Sequence, residues 1–457
     1  MALNVVIMAA GKGTRMHSNT PKVLHKLAGQ PLLQHVLDRV APLTPQQQVV
    51  ITGHGAEQVE ALIGEQAAHV RQVPQSGTGH AVQMAVPALD DTAGTTLILN
   101  GDVPLIGTDT AIALAAACGG EKLALLTVTL ADATGYGRIV RQGDAVQAIV
   151  EHKDATPEQR TIREVYTGMM AAPTALLKRW VMALKNENAQ GEYYLTDIVA
   201  MAVAEGVPVV ATAAADETEV LGVNSPAQLA ELERRLQRRQ ADHLMNAGLR
   251  LMDPARFDLR GTLTHGRDCE VDVNCVFEGS VELGDEVRIG ANCVIRNARI
   301  GAGAVIHPFT HIDGDKEGVQ VGAGALIGPF ARLRPGAVLG DEVHIGNFVE
   351  VKNSTLAKGA KANHLAYLGD ATVGERVNYG AGSITANYDG ANKHRTVIGH
   401  DVHVGSNCVL IAPVTLGDGA TIGGGSTISK DAPAGQLTVA RAKQTSLAGW
   451  QRPKKAK

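Results

Sequence analysis

The residues best suited to chemistry in this chain begin at Met8-Ala9-Ala10-Gly11-Lys12-Gly13-Thr14-Arg15-Met16, a glycine-rich turn that follows an apolar run at residues 5–8. Pro21-Lys22 adds a second basic signal shortly after. Backbone N–H groups in such a turn converge on anionic oxygens, and small residues let a nucleotide lie against the chain. The spacing fits neither a Walker A loop nor a GxGxxG fingerprint. Gln72 with Gly77-Thr78-Gly79-His80-Ala81 forms a second glycine-rich segment, and Asn100-Gly101-Asp102 ends another apolar run with a carboxylate. Open α/β sheets bind ligands at such strand ends. A lone glycine-rich turn is more often only a turn, and a lone Asp after a strand often only caps a helix. The weight lies in their order with Thr134-Gly135-Tyr136-Gly137-Arg138, Glu151-His152-Lys153-Asp154 and Gly222-Val223-Asn224.

A second group lies much later. Arg334, Lys352, His364, Tyr367, Asn378, Asn387, Tyr388 and Lys393 punctuate a region otherwise made of aliphatic residues and glycine. Each alone reads as an ordinary polar surface residue, and one histidine among 16 carries little. Together they set cations and tyrosines around a base whose ordinary pKa is near 6.5.

These residues need elements to hold them. Up to about residue 226, β-branched runs at 5–8, 48–52, 95–99 and 123–130 alternate with helical patterns such as 32–40, which predicts an α/β fold with a mostly parallel sheet. Residues 226–248 are charged and helical in pattern, with leucines at 229, 232 and 236, and read as an exposed connecting helix. Beyond about residue 260 aliphatic residues recur every six positions, as in Leu333, Leu339, Ile345 and Val351, or Ile398, Val404, Leu410 and Leu416. That period predicts a parallel β-helix, three hexapeptides to a triangular coil. Glycine follows many of these positions (284, 290, 340, 346, 399, 405, 417, 423), which suggests corners that need an open backbone. The step breaks at residues 313–318 and 383–397, where loops on one face are expected to carry binding residues. The domains expected are 1–226 for nucleotide chemistry, 227–247 as a helical linker and 248–457 as the β-helix.

Composition sets limits. Aromatics are 3% of the 457 residues, there are 51 glycines, and the net charge is -4, which speaks against a general nucleic-acid binder. Only the tail at 452–457 is basic, and it reads as solvated. The five cysteines show no CxxC or zinc spacing and read as small buried residues in a reducing compartment. The absence of a signal-like N-terminus and of a long apolar run predicts a cytoplasmic protein that does not enter a membrane.

In these motifs the chain resembles, over nearly all its length, the bacterial bifunctional N-acetylglucosamine-1-phosphate uridylyltransferases and glucosamine-1-phosphate acetyltransferases. The resemblance implies a Rossmann-like first domain and a left-handed parallel β-helix. It implies that Met8, Ala9, Ala10, Gly11, Arg15, Lys22, Gln72, Gly77, Thr78, Asn100, Gly101, Asp102, Gly137, Glu151 and Asn224 bind UTP and UDP-N-acetylglucosamine. Asp102 and Asn224 would ligate Mg²⁺, and Arg15 and Lys22 would neutralise the triphosphate, while Lys12 could instead be a solvated charge. In the second domain it makes His364 the proton acceptor. Arg334, Lys352, Tyr367 and Asn378 would hold glucosamine 1-phosphate, and Ala381, Asn387, Tyr388, Ser406, Gly424 and Arg441 acetyl-CoA. It further implies a homotrimer with acetyltransferase sites between subunits, and a product that feeds cell-wall and lipopolysaccharide synthesis.

Two positions depart from the family pattern. Tyr166-Thr167-Gly168 stands where Asn-Thr-Gly is usual, which removes an amide from the sugar site, and Gly424 stands where many relatives have alanine. A nucleotidyltransferase with a merely structural β-helix is the alternative, and the joint presence of His364, Arg334 and Lys352 speaks against it. A non-catalytic scaffold is disfavoured by intact Lys22, Asp102 and Asn224.

Overall fold

The computed structural model describes residues 2–188 and 190–455. The chain divides into two compact units, residues 1–236 and 237–457.

In the first unit β1 (Leu3–Met8), α1 (Leu32–Val40), β2 (Gln47–Thr52), α2 (Ala56–Ile63), β3 (Ala68–Arg71), α3 (Thr78–Ala85) and β4 (Thr95–Asn100) form parallel crossovers. There follow α4 (Thr108–Cys118), β5 (Leu123–Thr129), the hairpin β6 (Arg138–Gln142) and β7 (Ala145–Val150), β8 (Glu164–Pro173), α5 (Thr174–Ala183), α6 (Ile198–Ala204) and β9 (Val209–Ala213). The sheet order is β9-β5-β8-β4-β1-β2-β3, with the hairpin attached to β8. Strands buried on both faces read as unbroken apolar runs. Thus Val5, Ile7, Leu97 and Leu99 pack on one side, and Val6, Ile51 and Ile98 on the other.

The sheet is mixed, because β8 runs antiparallel to both β4 and β5. Its register with β5 shifts between Tyr166 and Met170, and Gly168 there has φ +86°. A side chain at Gly168 would strike the Asn100 carboxamide as well as strain the backbone. The bulge therefore lets β8 pass close to the end of β4.

The helix α7 (Pro226–Asn246) is exposed on one side only. Leu232 and Leu236 pack with Met16, Leu27, Leu32, Leu105 and Val223, while Ala241 and Leu244 belong to the core of the second unit. Gln237 is buried and exchanges two hydrogen bonds with the Leu259 backbone, at 2.9 and 2.7 Å. The apolar stripe decides how such a helix packs, however many charges its other face carries.

The second unit is a parallel β-helix. Val271 pairs with Ile289, Ile289 with Ile306, Ile306 with Ile327 and Ile327 with Ile345, so each coil sets an aliphatic residue on the one below. The core is almost wholly Val, Ile, Leu and Ala. Cys269, Cys275, Cys293 and Cys408 lie inside it, and Cys118 is buried in α4; all five are free. The two breaks in the six-residue step are loops between strands, from His311–Asp313 to Val319–Val321 and from Ile384–Ala386 to Thr396–Ile398.

The recurrent glycines have a different reason from the one expected. None of 284, 290, 340, 346, 399, 405, 417 or 423 has a positive φ. A side chain on Gly290 would instead lie 2.7 Å from the Pro308 ring in the next coil, and one on Gly405 2.5 Å from the Gly424 backbone. Close stacking of coils excludes a Cβ there. The left-handed corners are taken by Asn274, Glu286, Asn292, Asn353, Asp370 and Asn407, among others. The tail from residue 452 is exposed as far as Lys455, and its last two residues lie outside those described.

Candidate functional site

Met8 and Asn100 are register partners at the C-terminal ends of β1 and β4, and the chain that follows each strand is pinned there. Ala9 N–H donates to Ile51 O and Gly101 N–H to Met8 O, both at 2.9 Å. Gly101 packs against Met8 and Ala9, and lines none of the hollows beside it.

A cleft of about 390 to 510 Å³ is not unusual on this molecule, but one of about 510 Å³ opens where the expected nucleotide residues converge. Met8, Ala9, Ala10, Gly11, Lys12, Lys22, Gln72, Gly77, Thr78, Asn100 and Asp102 line it, together with Gln75 and Glu192. Two hollows of about 230 Å³ adjoin it at Asn100. One holds Gly137, Glu151, Tyr166 and Thr196, the other Arg15, Asp102, Tyr136 and Asn224. All the residues assigned to the uridylyl site except Gly101 thus line one connected depression. The grooves of similar size elsewhere lie on a face of the β-helix lined by residues such as Glu282, Arg299 and Gln320, and gather none of these groups.

The Lys22 ammonium donates to Asp102 Oδ2 at 2.5 Å and to Asn224 Oδ1 at 2.9 Å. Val223 N–H donates to Asp102 O at 2.9 Å, which brings Asn224 to this place from far along the chain. The two side chains expected to hold a metal therefore face one cation already, and Lys22 acts on them in the free protein rather than standing apart to meet phosphate. Gln72 is also engaged: its Nε2 donates to Gly77 O at 2.9 Å, bracing the loop at the start of α3. Gly77 has φ +102°, and a side chain there would lie 2.6 Å from Tyr193 O.

Burial pushes the Glu151 carboxyl above its ordinary range, opposed by a hydrogen bond from Thr196 Oγ1 at 3.3 Å and aided by Asp154 and Asp197. Tyr166 is buried, its hydroxyl has no hydrogen-bond partner, and burial raises its pKa well above that of free tyrosine. Its N–H donates to Gly137 O at 2.9 Å, so it fixes the loop beside Glu151 through its backbone.

On the β-helix most of the assigned residues fall on two corners of the coil. At one, Leu365 N–H donates to Asn347 O, Gly382 to His364 O, Asn407 to Ala381 O and Gly425 to Ser406 O. His364, Ala381, Ser406 and Gly424 therefore stand on successive coils, and Arg441 donates to Gly424 O. His364 Nδ1 lies 2.9 Å from Asn347 Oδ1. At the other corner Arg334 is paired with Glu350 Oε1 at 2.7 Å, Asn353 N–H donates to Pro335 O and Asp370 N–H to Lys352 O. Lys393 lies beside Lys352, and this neighbouring ammonium, burial and Arg334 hold the Lys352 pKa below the usual lysine range. Asn387 donates to Asp370 and Tyr388 belongs to the same loop. Tyr367 is on the face between the corners, paired with Glu350, and Asn378 Nδ2 lies 3.3 Å from His403 Nδ1 on another face. The turns at Leu365 and Asp370 are five residues apart, about 16 Å at 3.3 Å per residue. One chain does not bring His364 beside Arg334 and Lys352.

Beyond the residues the sequence singled out as sites, the structure adds Gln75 and Glu192 in the cleft, and Asn347, Asp370 and Lys393 on the β-helix. Lys393 belonged to the polar group named in the sequence, but no role was assigned to it. Asn347 and Asp370 carry no local signal, since their neighbours come from other coils.

A nucleotide-sized cleft at the strand ends of an α/β sheet, joined to a hexapeptide β-helix, defines a nucleotidyltransferase fused to an acyltransferase-type solenoid. Comparison agrees: residues 5–248 match the MobA-like NTP transferase domain, 263–297 the bacterial transferase hexapeptide family and 316–417 the GMPPB C-terminal domain. The chain is similar to the bifunctional protein GlmU of Methylibium petroleiphilum, with 75% identity over 99% of each chain. It is 68% identical to that of Paracidovorax citrulli over 99% of each, and 58% identical to that of an Azoarcus species over 99% of this chain and all of the relative. The chain belongs to the GlmU family of bifunctional uridylyltransferases and glucosamine-1-phosphate acetyltransferases.

Proposed function

We propose that the first unit carries uridylyl transfer in the cleft around Lys22, Asp102 and Asn224, and that the β-helix carries acetylation at sites shared between subunits of a homotrimer. In the first reaction an oxygen of N-acetylglucosamine 1-phosphate attacks the α-phosphate of UTP, a P–O bond forms to give UDP-N-acetylglucosamine, and pyrophosphate leaves. A sugar phosphate is largely dianionic above its second pKa of about 6, so no strong base is required. The need is for alignment and charge cancellation. Met8 to Gly11, Gln72, Gly77 and Thr78 seat the nucleotide, while Gly137, Glu151 and Asn224 face the sugar nucleotide. Arg15 and Lys22 offset phosphate charge. Gly101 supports this wall by allowing the close approach of Met8.

The pair Asp102 and Asn224 fits Mg²⁺. Both are hard oxygen donors, they converge on one cation in this structure, and their small number leaves positions for phosphate oxygens. Bound there, Mg²⁺ would supply charge cancellation across the phosphates.

In the second reaction His364 takes a proton from the glucosamine amine, the nitrogen attacks the acetyl-CoA carbonyl, and CoA leaves as its thiol. Arg334, Lys352, Tyr367 and Asn378 hold the sugar phosphate. Ala381, Asn387, Tyr388, Ser406, Gly424 and Arg441 hold acetyl-CoA. The observation favouring shared sites is the separation of the two corners. The edge that bears His364 also carries Phe309, Phe330 and Phe348 on successive coils, each about half exposed, with ring centroids 5.0 and 5.4 Å apart. Exposed stacked rings beside a catalytic base suit burial against a neighbouring chain. No helix among the described residues is long and apolar enough to cross a membrane. A cytoplasmic location fits substrates that are phosphorylated metabolites, and the product supplies cell-wall synthesis.

The test is a pair of assays on the purified protein: CoA release with glucosamine 1-phosphate, and Mg²⁺-dependent pyrophosphate release from UTP with N-acetylglucosamine 1-phosphate. Both are expected. Pyrophosphate without CoA would reduce the β-helix to a structural role.

A further inference from the structure

The loop that interrupts the β-helix at residues 387–395 is a hairpin that holds itself together. Asp389 accepts from the Ala391 and Asn392 amides at 2.8 and 2.6 Å and pairs with His394 Nε2 at 2.7 Å. Tyr388 and Lys393 bridge its arms, and His394 N–H donates to Asn387 O at 2.8 Å. None of these bonds fixes where the hairpin stands on the solenoid.

Asp370 does so at both ends. Its Oδ2 accepts from Asn387 Nδ2 at the start of the hairpin, and its carbonyl accepts from Thr396 N–H, 3.1 Å away, at the end. Its other carboxylate oxygen accepts from Asn353 Nδ2 at 2.5 Å, and its N–H donates to Lys352 O at 3.1 Å. Arg395 adds an exposed contact to Thr372 Oγ1 at 2.9 Å. Asp370 is only 6% exposed, an expensive place for a carboxylate.

A stacked corner needs no charge, since Asn274 and Asn292 make an amide ladder of this kind at 3.1 Å. What a carboxylate adds is two acceptor oxygens and no donor, so it can take an amide from each side at once. Asparagine at 370 would turn an N–H₂ toward one of two N–H₂ groups. We propose that Asp370 is a positioning residue that seats the 387–395 hairpin, and through Asn387 and Tyr388 the acetyl-CoA, on the solenoid. This rests on the assignment of Asn387 and Tyr388 to acetyl-CoA.

The experiment compares Asp370→Asn with Asn353→Ala in the full-length protein. Asp370→Asn should speed amide hydrogen exchange at 388–394 by about tenfold or more, without change in the strands His403–Val404 and Thr421–Ile422. Its KM for acetyl-CoA should rise about tenfold with kcat nearly unchanged, and uridylyl transfer should be unaffected. Asn353→Ala, which removes the other amide from the same carboxylate, should leave both readouts at wild-type values. Unchanged exchange and KM in Asp370→Asn would overturn the proposal, as would equal loosening in Asn353→Ala, which would make the carboxylate a plain ladder member. A loosened hairpin with an unchanged KM would instead overturn the acetyl-CoA assignment on which the proposal rests. If Asp370→Asn does not fold, Asp370→Ser is measured against the same expectations.

Discussion

Replacing Lys22 by methionine keeps the aliphatic stem and removes only the ammonium that joins Asp102 to Asn224. The ammonium makes two hydrogen bonds, one to a carboxylate, and the Lys22 and Asp102 side chains are 13% and 18% exposed. A hydrogen bond to a charged group contributes about 1.5–3 kcal/mol. Residual solvent contact keeps the loss near the middle of that range, about 2 kcal/mol. In a unit of 236 residues this lowers Tm by roughly 4–8 °C, at about 2–4 °C per kcal/mol.

The same geometry predicts an opposite effect on metal binding. In the wild type a divalent cation must displace the ammonium before it reaches Asp102 Oδ2 and Asn224 Oδ1, whereas in Lys22→Met those oxygens are free. Relief of about 2 kcal/mol corresponds to about 30-fold tighter Mg²⁺ binding without nucleotide. Thermal unfolding of both proteins across a MgCl₂ series reads the two effects together. The variant should start lower and recover at Mg²⁺ concentrations that leave the wild type unmoved, while its uridylyl kcat/KM falls by a factor on the order of 10² or more, because the cation that faces phosphate is gone. Equal Mg²⁺ responses in the two proteins, or an unchanged Tm in the variant, would refute the idea that Lys22 stands in for the metal.

Asp102→Ala should abolish uridylyl transfer and spare acetylation, and His364→Ala should do the reverse, with a loss of about 10²–10⁴ in kcat for removal of a general base; loss of both activities in either folded variant contradicts independent sites. Glu151 has its pKa raised by burial, so its stability contribution is complete below the unfolded value and lost as pH rises through the folded one. Glu151→Gln should therefore raise Tm at pH 7–8 by an amount that vanishes toward pH 4, while raising the KM for the sugar phosphate. Phe330→Glu places a charge in the middle of the stacked ring column and should dissociate the proposed trimer and remove acetylation, with uridylyl transfer retained; light scattering and the two assays report this, and an unchanged oligomeric state would place the subunit contact elsewhere.

The parts of the fold that were legible are those where burial has a period. Val5 to Ile7 and Leu97 to Leu99 are covered on both faces, so they read as strands, and the site segments fall at their ends because the crossovers are parallel. The insertion of β8 between β4 and β5 was not legible, since strand order is a long-range choice that local pattern does not encode. Tyr166 shows the consequence. As a substitution in the motif it marked only a missing amide, which left open a replacement through its hydroxyl or backbone or an altered sugar recognition; its hydroxyl is buried without a partner, and its backbone N–H reaches the neighbouring loop.

The glycines of the solenoid make a related point. Their period was legible and their reason was not, because Gly290 and Gly405 are required by the approach of another coil and not by their own φ. The same vertical stacking controls the second site. The six-residue step says which residues point inward, yet the distribution of polar residues between corners depends on where each coil turns, and a left-handed corner falls on Leu365 and on Asp370 alike. His364 and Lys352 are near in sequence and belong to one functional group by resemblance, but a face of the coil lies between their corners. The resemblance already implied sites between subunits, and the separation of the two edges gives that expectation a physical reason. In the proposed trimer a second subunit would join them, and the exposed phenylalanines along the His364 edge are the physical reason to expect one.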